Sequence, residues 1–362
     1  MKKLLSIIVP SYNMECYLDK CLSSVIIDDA DLLQTLDVIV VNDGSTDRTS
    51  EIAHSYESKY PGVFRVIDKP NGHFGSCINA GLPLVQGTYV RIQDADDSFR
   101  VENFLDFVAY IKQMADTDLP DVVFNDVSGC TPDGKITDAK PHNFPVGRVF
   151  SISEIGSAFF GEGHFSIKTK IVRDLHYHQT EGCAYTDSEW YTWPFIDVAT
   201  ATYFPKPVTC VLNGRDGQSM NARMYARNFS TVAELVLGLA QKFVAAGAIG
   251  TAEGRQFVGT RIYGMVSNVY QTTILGYSGL LPECDLRRFD DKLQQIDKFL
   301  YLDVAKPVRI PHLPFKIDLI NVWRRCRYRD NFVFVLIRFH QKVVRFLGKC
   351  KRMTRKILGG AP

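Results

Sequence analysis

No run in the 362 residues approaches the roughly 18 apolar residues that a membrane-crossing helix needs. The nine cysteines are odd in number and scattered, with no Cys-x-x-Cys pair, which argues against a disulfide framework and against a structural zinc site. Neither G-x-G-x-x-G nor G-x-x-x-x-G-K-[ST] occurs, so any nucleotide site is built neither on a dinucleotide fingerprint nor on a P-loop. Met1-Lys2-Lys3 followed by Leu4 to Val9 imitates a signal peptide, but the apolar run is too short and Pro10 ends it. These absences together lead us to expect a body in a reducing cytoplasm.

What is present is a chain of ordinary globular composition, 46% hydrophobic and 23% charged, long enough for one large domain and a smaller one. The formal charge of +2 conceals an asymmetry. Between Trp323 and Lys356 there are twelve Lys or Arg against one acid, Asp330, so that segment carries +11 and the rest −9.

Leu4 to Val9, Asp37 to Val41, Val63 to Ile67 and Thr88 to Gln93 read as short, apolar, buried parallel strands. Segments with helical spacing fall between them, at Cys16 to Ile27, Arg48 to Lys59 and Ser76 to Val85. Val122-Val123-Phe124 opens a less regular region. The alternation predicts an α/β fold with a doubly wound, mostly parallel sheet. Each of the four strands feeds a polar segment: Ser11-Tyr12-Asn13, Asn42-Asp43-Gly44-Ser45, Asn71-Gly72, and Asp94-Ala95-Asp96-Asp97. In a parallel sheet those ends share one side and converge on one crevice. Asp94 and Asp96 point the same way if the backbone stays extended, and two such oxygens suffice to share a hard cation with a diphosphate. The competing reading is an acidic turn in which Asp97 or Ser98 caps a helix beginning near Val101.

Ser6 to Asn13, Val41 to Asp47, Asn71-Gly72 with Asn79-Ala80-Gly81, and Asp94 to Asp97 stand in the order and spacing of family 2 glycosyltransferases, which this chain resembles over roughly residues 4 to 100. The resemblance implies a GT-A fold, Rossmann-like with a mostly parallel sheet, and inverting transfer from a nucleotide-diphosphate sugar with a divalent cation, Mn²⁺ or Mg²⁺. It implies that Pro10 and Tyr12 line the base pocket, that Asp43 accepts a hydrogen bond from the base, usually uracil, and that Asn71, Gly72 and Asn79 belong to the donor site. It implies further that Asp94 contacts the ribose or sugar and that Asp96, with Asp94, holds the cation. Such roles suit the residue types, since an aromatic ring offers a stacking face and a carboxylate matches an imide N–H. Asp43-Gly44 also fits a tight turn with no ligand.

Inverting transfer needs a carboxylate to take the proton of the acceptor hydroxyl. Thr186-Asp187 resembles the pair that carries this base in the family, with Asp187 expected as base and Glu189 second. The alternative is a cap on a helix from Ser188 to Val198, worth roughly 1 kcal/mol. His176-Tyr177-His178 lacks a third ligand and reads as surface or acceptor-side residues rather than a metal pair. Arg215-Asp216-Gly217-Gln218-Ser219 sits where the family carries a basic or polar loop near the diphosphate, and the resemblance implies that Arg215 could stabilise the leaving group.

From Tyr225 to about Thr273 the spacing is helical, with Val232, Leu235, Val236 and Leu239 on one face. In the tail, Phe332, Val335, Leu336, Phe339, Val343, Phe346 and Leu347 recur at helical spacing, with Arg338, Lys342, Arg345, Lys349 and Arg352 between them. Such a helix lies on an anionic bilayer surface; packing on the body or an oligomer contact is the rival, and the acidic body argues against nucleic acid. The expected division is a catalytic domain over 1–215, a helical appendage over 216–322 and a basic amphipathic tail over 323–362. The expected partners are a nucleotide-diphosphate sugar donor, a glycan or lipid-linked acceptor and an anionic membrane through 323–356, at the inner face of the cell membrane. A nucleotidyltransferase is disfavoured because Pro10 to Glu15 contains no Lys or Arg to hold a triphosphate; a non-catalytic nucleotide-binding module remains as the other alternative.

Overall fold

Strand β1 (Leu5–Ser11) runs beside β2 (Leu36–Asn42), and every residue of the two except Pro10 is buried. That explains their continuous apolar sequences: a strand covered on both faces has no polar side to show. The connection between them is shorter in helix than its spacing predicts. Helix α1 (Leu18–Ser23) stops before a four-residue α2 (Ala30–Leu33), whose N-cap Asp29 accepts from the Leu32 amide. Helix α3 (Thr49–Lys59) leads to β3 (Phe64–Asp68), and α4 (His73–Gly81) to β4 (Tyr89–Ile92). The α4 segment starts three residues before its expected Ser76 and gives way to a 3₁₀ turn over Leu82–Leu84, where Pro83 has no amide to continue the α ladder. A computed structural model describes residues 2–114, 119–137, 141–158, 160–215, 222–309, 316–326, 330 and 332–357.

The chain continues through β5 (Ser98–Phe99), α5 (Val101–Met114), β6 (Val122–Cys130), β7 (Ile136–Thr137), β8 (Phe150–Ser151), β9 (Phe165–Lys168), α6 (Thr169–Asp174), α7 (Asp187–Trp190) and β10 (Thr200–Leu212). One sheet forms in the order β3-β2-β1-β4-β9-β6-β10-β5, with β7 on β6 and β8 on β10. Pairs among the first four strands and the β6–β10 pair are parallel. By contrast β9 is antiparallel to both neighbours and β5 antiparallel to β10. The region expected to be irregular after Val122 therefore supplies half the sheet. Its sequence alternates poorly because β6 is buried on both faces while carrying Asn125 and Asp126. Helix α5 covers the sheet with Phe104, Phe107, Val108 and Ile111, all buried at helical spacing. Each fully buried side chain of this size contributes about 1.5–3 kcal/mol.

By internal contacts the chain divides into one compact unit of Met1–Gln218 with Ala248–Arg261 and another of Ser219–Gly247 with Ile262–Pro362. The first ends close to the expected 215 but also takes residues from the expected appendage, and the tail from 323 onward falls within the second. The later helices are α8 (Ala222–Arg227), α9 (Phe229–Ala245), α10 (Ala252–Leu275), α11 (Leu286–Ile296), α12 (Lys298–Asp303), α13 (Leu319–Arg325) and α14 (Phe332–Ile357). In the second unit, Arg324 pairs with the buried Asp290 at 2.7 Å and lies 3.7 Å from the Tyr301 ring centroid.

Helix α14 buries Phe334 and Ile337, and Arg338 Nη1 donates to the Ile274 carbonyl at 2.9 Å. Its other face holds Phe332, Val335, Leu336, Phe339, Val343 and Phe346, all exposed. Arg338, expected among the charged residues that complement this stripe, is engaged by the Ile274 carbonyl and Asp330. Arg327 and Arg329, and the side chains of Arg345, Leu347, Lys349 and Arg352, lie outside the described residues, as do Asp216 to Ser219. Among the described residues no helix is long and apolar enough to cross a membrane.

Candidate active site

The loops after β1 and β2 are laced together. Asn13 donates its amide to Ser45 Oγ at 3.0 Å and accepts from the Thr46 amide at 2.9 Å; Glu15 and Met14 bind Asp47 and Thr49 at 3.0 and 2.7 Å. Pro10, next to last in β1, is partly buried, and Tyr12 is 47% exposed, its ring open for stacking. Asp43 is buried, and its Oδ1 accepts from Lys69 Nζ at 2.6 Å and the Gly72 amide at 3.0 Å. Lys69 also donates to Ser76 Oγ at 2.8 Å. Gly44 has φ +70, and a Cβ there would stand 2.9 Å from the Asn71 amide nitrogen. The Asp-Gly turn and the packing of Asn71-Gly72 against the second loop are thus one feature. Non-glycine residues with positive φ occur in the surrounding loops at Asn13, His73 and Tyr185, the kind of backbone strain that gathers at functional sites.

The acids after β4 do not stay extended. The strand ends at Ile92, and the Asp97 amide donates to the Asp94 carbonyl at 3.1 Å, making a turn that buries Ala95. Asp97 does not cap α5, because its Oδ1 accepts from the Leu212 amide at 2.8 Å and ties down the end of β10. Asp94 and Asp96 are partly accessible. Burial, then the charges of Asp96 and Asp187, pushes Asp94 up to about 7. Arg215 Nε is ion-paired to Asp96 Oδ2, with the guanidinium carbon 5.5 Å from the Tyr17 ring centroid.

Two residues join this cluster without any signal in the sequence. Glu162, between two glycines in a 3₁₀ turn over Glu162–His164, hydrogen-bonds Asp94 through its side chain. Burial and the charges of Asp94 and Asp187 raise its carboxyl well above the usual range. The turn is pinned from beneath by Arg91, which donates to the Gly163 carbonyl at 2.8 Å and to Thr209 Oγ1 at 2.9 Å. Arg91 is wholly buried beside Phe99 and Phe107, and burial lowers it to about 9. In sequence it is only a charged interruption of an apolar strand.

Asp187 opens α7, four residues long, followed by a 3₁₀ turn over Trp193–Asp197 with Pro194 in its first turn. The single helix expected from Ser188 to Val198 is therefore broken, and Thr186 makes no side-chain cap. Burial raises the Asp187 carboxyl above its ordinary value. Glu189 is differently employed: its two oxygens accept from the Thr180 amide and hydroxyl, each at 2.8 Å. Asn79 is likewise spent on this loop, donating to Gln179 O at 2.9 Å and Glu181 Oε1 at 2.7 Å and accepting from the Gln179 amide at 2.9 Å. The loop presses on the start of α4, where a Cβ on Gly75 would lie 1.9 Å from the Thr180 carbonyl oxygen. His176, Tyr177 and His178 line a cleft of about 230 Å³ with Leu82, Val85 and Val172.

Among the described residues no three or more His, Cys, Asp or Glu side chains converge on a protein-only cation cage. Asp94 and Asp96 fit a cation that takes one or two carboxylates and leaves its remaining positions to phosphate and water. The guanidinium already paired with Asp96 shows that positive charge is accommodated there.

The family model described as glycosyl transferase family 2 matches residues 6–140. The uncharacterised glycosyltransferase EpsJ of Bacillus subtilis is 40% identical over 97 residues, 27% of either chain. A dolichyl-phosphate beta-glucosyltransferase of Trichomonas vaginalis is 33% identical over 118 residues, 31% of this chain and 36% of its own. Chondroitin synthase of Pasteurella multocida is 36% identical over 94 residues, 26% of this chain and 9% of its own. Matches thus span about a quarter to a third of the first relatives' length. In fold, the chain is similar to residues 1–349 of S. aureus TarS in complex with UDP-GlcNAc, with TM-score 0.67 and 16% identity over 94% of this chain and 91% of that one. Residues 6–140 thus match glycosyl transferase family 2, and the mixed α/β sheet has the GT-A fold.

Proposed function

We propose that this crevice transfers a sugar, with inversion, from a UDP-sugar to a hydroxyl of a glycan or lipid-linked glycan acceptor in surface polysaccharide synthesis. One observation carries the reading. The loop that leads to Asp187 is tied to the donor loops, Gly182 donating its amide to the Gly72 carbonyl at 3.1 Å and Asn79 donating to Gln179 O at 2.9 Å, so a candidate base is carried beside the candidate donor site. Tyr12 and Pro10 offer the base a stacking wall, and Asp43, oriented by Lys69 and Gly72, offers an acceptor for its imide N–H. Asp94 and Asp96 would hold Mn²⁺ or Mg²⁺, which would supply positive charge against the departing diphosphate. Asp187 takes the proton of the acceptor hydroxyl as that oxygen attacks from the face opposite the diphosphate. With both Glu189 oxygens committed to Thr180, the base role falls to Asp187 and Glu189 positions the loop.

The exposed apolar stripe of α14, in a segment of net charge +11, supports docking on an anionic bilayer at the inner face of the cell membrane, where a lipid-linked acceptor is reached. The test of catalysis is Asp187→Asn. Sugar transfer or donor hydrolysis should fall about 10²–10⁴-fold while UDP affinity stays within twofold. Undiminished turnover would remove Asp187 from the mechanism.

A further inference from the structure

The donor-site reading gives Asp96 to a cation and Arg215 to a diphosphate, yet the two side chains are paired with each other. Resting on that reading, we propose that Arg215 exchanges Asp96 for the donor diphosphate, so that cation entry and diphosphate capture are coupled through one guanidinium. Arg215 Nε contacts Asp96 Oδ2, and the two side chains are only 16% and 11% exposed, so solvent screens the pair weakly. A second hold comes from the Tyr17 ring, 5.5 Å from the guanidinium carbon. The approach is fixed from behind: Arg215 lies three residues beyond Leu212, whose amide is bound by Asp97 at 2.8 Å.

The exchange follows from the chemistry of the groups. A guanidinium has no acceptor atom and cannot join a cation's coordination shell. Like charge and a shared carboxylate mean that a divalent cation arriving at Asp96 displaces it. The freed guanidinium stays within the same crevice, where its planar fork matches phosphate oxygens. Before the donor arrives, Arg215 thus stands in for the cation and keeps Asp96 from being a buried, unpaired charge; afterwards it becomes a ligand of the diphosphate. Because linkage is reciprocal, Mn²⁺ strengthens UDP binding and UDP strengthens Mn²⁺ binding by the same factor, and Arg215 supplies part of that factor.

The test measures binding rather than turnover. Free Mn²⁺ is followed by electron paramagnetic resonance, without nucleotide, for the full-length protein, Arg215→Gln and Arg215→Lys. UDP affinity is then measured by calorimetry with and without saturating Mn²⁺. Arg215→Gln should bind Mn²⁺ alone more tightly than the parent, on the order of tenfold. It should bind UDP more weakly at saturating Mn²⁺, so that the coupling factor shrinks. Arg215→Lys, which keeps the charge, should stay near the parent for Mn²⁺ and separate a charge effect from a packing defect. Equal or weaker Mn²⁺ binding by Arg215→Gln, or an unchanged coupling factor, overturns the exchange alone. Absence of Mn²⁺ binding in all three proteins overturns it together with the cation reading.

Discussion

The ammonium of Lys69 lies 2.6 Å from Oδ1 of Asp43, joining the loop after β3 to the loop after β2. Asp43 is nearly enclosed, with its side chain 3% exposed, and Lys69 is 20% exposed. Removing one member of such a pair leaves a buried carboxylate short of a partner. Lys69→Met should therefore destabilise the fold by roughly 1–3 kcal/mol. If Asp43 is aimed at the base by this contact, UDP affinity should drop about tenfold as well, some 1.4 kcal/mol. Denaturant unfolding and UDP titration of the same variant check both, and an unchanged pair of values would dissociate Lys69 from the pocket.

A second prediction concerns pH. In the metal-free protein Asp94 is pushed up to about 7 by burial and by the charges of Asp96 and Asp187, whereas an unfolded aspartate titrates near about 3.9. Between those values the folded protein holds a proton that the unfolded chain has released. This group's contribution is therefore fully present below about pH 4 and is lost as pH rises to about 7. In EDTA, Asp94→Asn should match the parent near about pH 4 and exceed it in stability at about pH 8. Parallel stability profiles for the two proteins between those pH values would show that Asp94 is not perturbed.

The tail offers a third. Phe339 is 64% exposed and Phe346 65% exposed on α14, so replacing both by aspartate should leave the unfolding temperature within a few degrees. The same change should abolish sedimentation with vesicles containing anionic lipid, because it removes buried apolar area and adds like charge. Retained vesicle binding, or a change of oligomeric state in its place, would assign this face to protein contact.

The residues themselves explain how much was legible in the sequence. β1, β2 and β4 were readable because strands covered on both faces must be apolar, and the polar motifs after the first four strands pointed to a shared crevice. On the proposed base side, the sequence singled out Asp187 as a candidate. Its helix was not legible, since Pro194 splits it. Lys69, Arg91 and Glu162 escaped because their partners lie 26, 72 and 68 positions away in the chain, at Asp43, Gly163 and Asp94. No local periodicity reports such contacts. β6 and β10 were missed for a related reason: they pair across a long connection and bury polar residues whose partners, such as Tyr203 for Asp126 at 2.7 Å, are supplied by the neighbouring strand.

The most direct test of the central claim is calorimetric titration of UDP into the parent protein and Asp96→Asn, each with Mn²⁺ and with EDTA. The account predicts that Mn²⁺ tightens UDP binding to the parent at least about tenfold and that Asp96→Asn loses most of this gain, its UDP affinity becoming nearly the same in Mn²⁺ and in EDTA. UDP binding that is indifferent to Mn²⁺, or a gain that survives in Asp96→Asn, would contradict it.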